Sequence, residues 1–193
     1  MKKILLMTLT LIFILTAKSY AAMPDISAGE STFDIFKGCY IFKNNVRISD
    51  RGMTITAQRA TAQMTTQKVW ADGGVTFEQE GLKFKCDKIF VNARESMVEV
   101  IGNLNLIQDG AVRISGDVGK FSWSDKCADF YGKVKLTANK NIKIDSNLNI
   151  NAKKLNGTYA HIRYNVIEKK IIALDKTFEK IPVQDYSEPN PTE

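Results

Sequence analysis

The sequence predicts an all-β protein built from stacked repeats of about thirty residues, and three observations carry that prediction. First, four segments line up: Asn44-Asn45-Val46-Arg47-Ile48, Gly73-Gly74-Val75-Thr76-Phe77, Gly102-Asn103-Leu104-Asn105-Leu106 and Gly132-Lys133-Val134-Lys135-Leu136, with starts 29, 29 and 30 residues apart. Second, a further element follows each one: Met53–Ala57, Leu82–Cys86, Val112–Gly116 and Leu148–Ala152, every one alternating apolar with polar and closing on a small residue. Alternation with period two marks strands rather than helices. Third, turn residues interrupt the chain every few positions, as in a sheet of antiparallel strands folded on itself.

The first 21 residues read as a separate element. Lys2 and Lys3 precede the apolar run Ile4–Leu15, and Ser19-Tyr20-Ala21 supplies a small-x-small cleavage site, so residues 1–21 read as a cleavable signal for export to a periplasm. An uncleaved transmembrane helix is the alternative, and the apolar run is short of the roughly 20 residues a span needs. No Cys follows the cleavage site to carry a lipid anchor.

Residues 22–180 then form one β domain, with Met23–Phe36 leading into units that begin near Gly38, Ala71, Ile101 and Tyr131. Each unit offers about four short strands; in the second these are Val75–Gln79, Leu82–Cys86, Lys88–Ala93 and Met97–Ile101, separated by Glu80-Gly81, Asp87 and Arg94-Glu95-Ser96. The third unit breaks at Asp109-Gly110, Gly116-Asp117 and Ser124-Asp125-Lys126, and the fourth carries a wider loop at Asn139–Lys143. A strand pair, His161–Ile167 and Lys170–Leu174, closes the array. Residues 181–193, polar and proline-bearing, are expected to be disordered.

Successive side chains of a strand point to opposite faces. Val46, Ile48, Ile55, Val75, Phe77, Leu82, Phe84, Leu104, Leu106, Val112, Ile114, Phe121, Trp123, Val134, Leu136, Leu148 and Ile150 therefore share one face, with small residues (Ala57, Cys86, Gly116, Ala152) where the strands bend. This lining reads either as a dry core packed on itself or as a groove for an acyl chain, and pattern alone favours the core.

Composition narrows the function. The net charge of +6 falls to +3 once Lys2, Lys3 and Lys18 leave with the signal, and no basic cluster of the kind that binds nucleic acid stands out. Three cysteines, Cys39, Cys86 and Cys127, leave at least one outside any intrachain disulfide, and their spacing matches no metal site. The one histidine, His161, and the absence of a nucleophile elbow, a Walker loop or clustered carboxylates argue against an enzyme and against a cofactor. Asp87 and Asp117 read as turn caps.

The unit G-x-V-x-Φ … Φ-x-Φ-x-A-D-x-Φ (Φ apolar) resembles the OstA-like repeat of the LptA/OstA-like periplasmic lipopolysaccharide-transport family. Gly81-Leu82-Lys83-Phe84-Lys85-Cys86-Asp87-Lys88-Ile89 is similar to that family's G-x-Φ-x-Φ-x-A-D-K-Φ, with Cys86 in place of Ala. Ile114-Ser115-Gly116-Asp117 with Phe121-Ser122-Trp123, and Ile26 through Asp34, are similar to two further family segments, so the likeness spans roughly residues 25–175. The loop at Asn139–Lys143 is longer than the family's, and one glycine is shifted.

The resemblance implies an antiparallel jellyroll open along one seam, a β-taco, whose apolar interior receives the acyl chains of lipid A. It implies a bridge between inner and outer membranes, built by edge-strand addition to LptC-like and LptD-like β-jellyroll partners or by head-to-tail self-association. Ile26, Leu106 and Trp123 match lining positions of the family, and alternation adds Ile48, Ile55, Phe77, Phe84, Ile114, Phe121 and Leu136 to the expected lipid-binding set. Two other readings stay open: a membrane-anchored LptC-type component of the same pathway, and a structural β-repeat protein with a packed interior.

Overall fold

The computed structural model describes residues 25–177 apart from positions 51, 64, 80, 123, 140–141 and 149–154. The expected signal, the expected disordered tail, Trp123, Ile150 and Ala152 lie outside the described residues. Twelve strands occupy the described chain: β1 Asp25–Ser27, β2 Glu30–Asp34, β3 Cys39–Asp50, β4 Met53–Gln63, β5 Lys68–Gln79, β6 Leu82–Asn92, β7 Met97–Gln108, β8 Val112–Ser122, β9 Cys127–Ala138, β10 Lys143–Ile144, β11 Gly157–Asn165 and β12 Lys170–Asp175.

All twelve belong to one sheet in the order β1-β3-β4-β5-β6-β7-β8-β9-β11-β12-β10, with β2 also on β3. Every pairing is antiparallel except β10 on β12. The first and last strands of this order do not pair, so the sheet is open, as the resemblance implies. β1 lies along the second half of β3 (Ile26 opposite Ile48) and β2 along the first half (Phe33 opposite Tyr40). Together they act as one bent edge strand.

The expected four short strands per unit are instead two long strands of 11 or 12 residues, each bent at its middle. What reads as a strand start in the repeat is a β-bulge inside a continuous strand. The register slips between Lys43 and Val46, between Asp72 and Val75 and between Ile101 and Leu104, each time with two residues facing one on the following strand. Those two residues take left-handed backbone conformations: Asn44 and Asn45 (φ 65° and 60°), Gly73 and Gly74 (80° and 86°), Gly102 and Asn103 (75° and 47°). Gly and Asn tolerate that region best, which is why they recur at this point of the repeat. Gln58, Asp87 and Asp117 sit opposite the bulges, so close that a Cβ on Gly73, Gly102 or Gly132 would collide with them. Asp87 accepts a hydrogen bond from the Asn103 amide at 2.9 Å. The two aspartates are thus bulge partners in mid-strand, not the turn caps expected, because no turn exists there.

The bulges fold each strand into two halves, and the apolar side chains of both halves merge in a single cluster. Val46, Val75, Leu104 and Val134, the apolar residues just after the bulges, are 0–2 % exposed, and Cys86 is buried opposite Val75. Burial, with Asp87 as a lesser cause, pushes the Cys86 thiol up to about 12. It behaves as a small apolar residue at the bend.

Candidate functional site

The pairing registers place eight of the ten expected lipid-binding residues on one continuous row across the sheet. Ile26 lies opposite Ile48, Ile48 opposite Ile55, Ile55 opposite Phe77 and Phe77 opposite Phe84. Phe84 then faces Leu106, Leu106 faces Ile114 and Ile114 faces Leu136. The Phe77 and Phe84 rings stack with centroids 5.4 Å apart. Cross-strand aromatic and β-branched neighbours of this kind stabilise a sheet pair by about 0.2–1 kcal/mol each.

Phe121 stands apart from that row, in the other half of the sheet. There Tyr40, Ala62, Val69, Val91, Val98, Phe121, Ala128, Tyr164 and Ile171 form a second row. This facing wall, Phe121 excepted, is missing from the expected site. Its signal was present in Tyr40-x-Phe42, Val69-x-Ala71, Ile89-x-Val91 and Val98-x-Val100, which alternate as the first wall does but lie on the other side of the bend in each strand.

Exposure along the first row changes in one direction. Ile26, Ile48, Ile55, Phe77 and Phe84 are half-buried, whereas Leu106 (6 %), Ile114 (0 %) and Leu136 (1 %) are closed off. The closure has a visible cause. Ile142, Leu155 and Tyr159 fill the interior at that end, with the Tyr159 hydroxyl donating to the Leu155 carbonyl at 2.8 Å.

A polar clasp joins the two lips of the folded sheet there. The Tyr164 hydroxyl, from one half, donates to Gln108 Oε1, from the other, at 2.6 Å. Gln108 Nε2 donates to the Val166 carbonyl at 3.1 Å, and Lys169 pairs with Asp109 just outside. Burial raises the Tyr164 pKa, so the phenol stays a donor. The result is an apolar trough whose first row is half-exposed along β1–β6 and closed from β7 to β9, while the facing row is buried at Tyr40 and Ala62 and half-buried at Val98 and Phe121.

His161 is elsewhere, on the convex face, with Nε2 2.8 Å from Asp129 and its ring stacked on Tyr131. Near the β1–β2 edge the turn after β2 presents Ile35 and Phe36 to solvent, 75 % and 98 % exposed.

The solved structure of LptH, the LptA-homologous periplasmic component of the conserved lipopolysaccharide transport device from Pseudomonas aeruginosa, is similar at 17 % identity, with a TM-score of 0.45 over 51 % of this chain and 75 % of that one. No curated protein matches the chain. The family match runs over residues 43–173, from within β3 to within β12, across all the bulged repeats that line the trough. The chain belongs to the family of OstA-like proteins.

Proposed function

We propose that the protein is a periplasmic lipopolysaccharide-binding bridge that carries the acyl chains of lipid A in the trough from the inner towards the outer membrane. The observation that supports this most is the apolar row that is half-open from Ile26 to Phe84 and closed from Leu106 onward. A core built only to hold the fold has no reason to stay half-open along five strands. Four interstrand spacings from β1 to β6 give the open stretch a length of about 19 Å, the length scale of an extended fatty-acyl chain. Each methylene moved from water into the trough gains about 0.8 kcal/mol. Ile26, Ile48, Ile55, Phe77 and Phe84 touch the acyl chains, Phe121 contributes from the other wall, and Leu106, Ile114 and Leu136 form the closed end.

The edge strands suit the partners expected of a bridge. β1 and β2 at one edge and β10 and β12 at the other are short and offer backbone groups for strand addition. Exposed Ile35 and Phe36 beside β2 add an apolar anchor at that edge. LptC-like and LptD-like jellyrolls, or another copy of this chain, would add there. The dry packing around Ile114 and Leu136 favours the second reading, a structural β-repeat with a filled interior.

Phe84→Asp separates the two. It puts a carboxylate among Phe77 and Leu106, where burial of the charge is costly. Lipopolysaccharide affinity is expected to fall about tenfold or more, a loss of at least ~1.4 kcal/mol, while Lys135→Asp on the convex face leaves it unchanged. A folded Phe84→Asp protein that binds as tightly as the parent removes the trough from the account.

A further inference from the structure

A pocket opens on the convex face, away from the trough, over β7, β8 and β9. Its volume is about 570 Å³, and Asn105, Arg113, Ser115, Asp117, Lys133 and Lys135 are among the residues that line it. Alternation turns these side chains outward, since Leu104, Leu106, Ile114 and Val134 between them pack in the concave cluster. Asn105, Ser115 and Lys135 stand in register across the three strands, and Arg113 lies two residues along β8 from Ser115. Two interstrand spacings by two residues give a footprint of about 10 by 7 Å, the scale of a small sugar.

Rim and floor differ in character. Arg113, Lys133 and Lys135 are exposed at the rim, whereas Asn105 and Ser115 are half-buried at the floor. None of the three cations forms an ion pair with a described residue, while Lys83, two strands away on the row of Arg113, is already held by Glu78. Asp117 is the one carboxylate among the lining residues, so the pocket carries three formal positive charges against one negative. At the floor, Asn105 Oδ1 is buried with no hydrogen-bond partner. A buried acceptor without a donor is costly, and a ligand hydroxyl is a donor that satisfies it.

The excess of positive charge calls for an anion, and the orphaned acceptor beside Ser115 calls for a group that donates. A sugar carrying a phosphate or a carboxylate supplies both; sulfate supplies only the first. We propose that this pocket binds an anionic sugar, with its phosphate or carboxylate between Arg113, Lys133 and Lys135 and its hydroxyls on Asn105, Ser115 and Asp117. The cluster is not legible along the chain, because it assembles only where β8 and β9 pair. On the face opposite the first apolar row, it takes a molecule other than the one the trough would hold.

Nuclear magnetic resonance titration of the isotope-labelled protein tests it, read at the amides of Asn105, Ser115 and Lys135, with glucose 6-phosphate, glucuronate, glucose and sulfate as probes. Saturable shifts are expected with glucose 6-phosphate or glucuronate, at an affinity about tenfold or more above that of glucose and of sulfate. The tighter of the two acidic sugars identifies the anion as phosphate or carboxylate. Arg113→Gln with Lys135→Gln, both at exposed positions, is expected to weaken the acidic sugar about tenfold or more. Asn105→Ala is expected to weaken the acidic sugar and to leave sulfate unchanged. Sulfate bound as tightly as the acidic sugars overturns sugar recognition. The absence of any saturable shift, or binding unchanged in the double variant, overturns the site. The probes carry no acyl chain, so their failure leaves the reading of the trough standing.

Discussion

At the scale of single residues, the bulge glycines separate two costs that usually come together. Gly102 has φ 75° and its missing Cβ would fall onto the Asp87 carboxylate, whereas Gly74 has φ 86° with nothing within 4 Å. Gly74→Ala therefore carries only the left-handed backbone penalty, about 1 kcal/mol. Gly102→Val adds a steric clash and a β-branched side chain to it, and the expected loss is about 2–3 kcal/mol. Urea denaturation of the two variants checks the difference; equal losses would mean that Asp87 moves aside freely and does not hold the bulge. Cys86 belongs to the same logic. It stands where the other repeats have Ala or Gly because the site opposite Val75 is small and dry, and its raised pKa follows from that burial.

At the scale of elements, the pattern Gly-x-Val-x-Phe was visible in the sequence as a repeat but was legible only in part as structure. Alternation gave the side-chain face of Val75–Phe77 and Leu82–Cys86 correctly. It did not reveal that Leu82–Cys86 and Lys88–Asn92 are halves of one strand, β6. A bulge and a turn use the same residue types, and only the hydrogen-bond partner across the sheet tells them apart. Merging the halves also explains the missed wall: Tyr40, Val69, Val91 and Val98 face the trough because the fold at the bulge turns them towards it. The clasp was not legible at all, since Gln108 and Tyr164 are 56 residues apart.

That clasp makes its own prediction. Tyr164→Phe keeps the packing of a side chain that is 0 % exposed but leaves Gln108 Oε1, in a residue 7 % exposed, without its donor. A buried acceptor that loses its partner costs about 1–3 kcal/mol. The variant is expected to unfold at lower urea by that amount, with amide exchange accelerating first in the turn 166–169. Lys169→Ala, which removes only the exposed pair with Asp109, should cost at most about 1 kcal/mol. If Tyr164→Phe is as stable as the parent, the lips are held by apolar packing and the clasp is incidental.

At the scale of the whole molecule, one bent sheet has two ends with different character. The end formed by β1–β6 keeps its first apolar row half-exposed; at the other end Leu155, Tyr159 and Ile142 join the core cluster and Tyr164 clasps Gln108. The proposed hold on an acyl chain rests on the graded exposure of the first row. The most direct measurement places a photo-crosslinking residue in turn at Ile48, Phe77, Ile114 and Lys135 and adds purified lipopolysaccharide. The account predicts lipid adducts at positions 48 and 77 and none at 114, in the closed end, or at 135, on the convex face. Adducts at 114 equal to those at 77, or a folded protein with no adduct at 48 and 77, would contradict it.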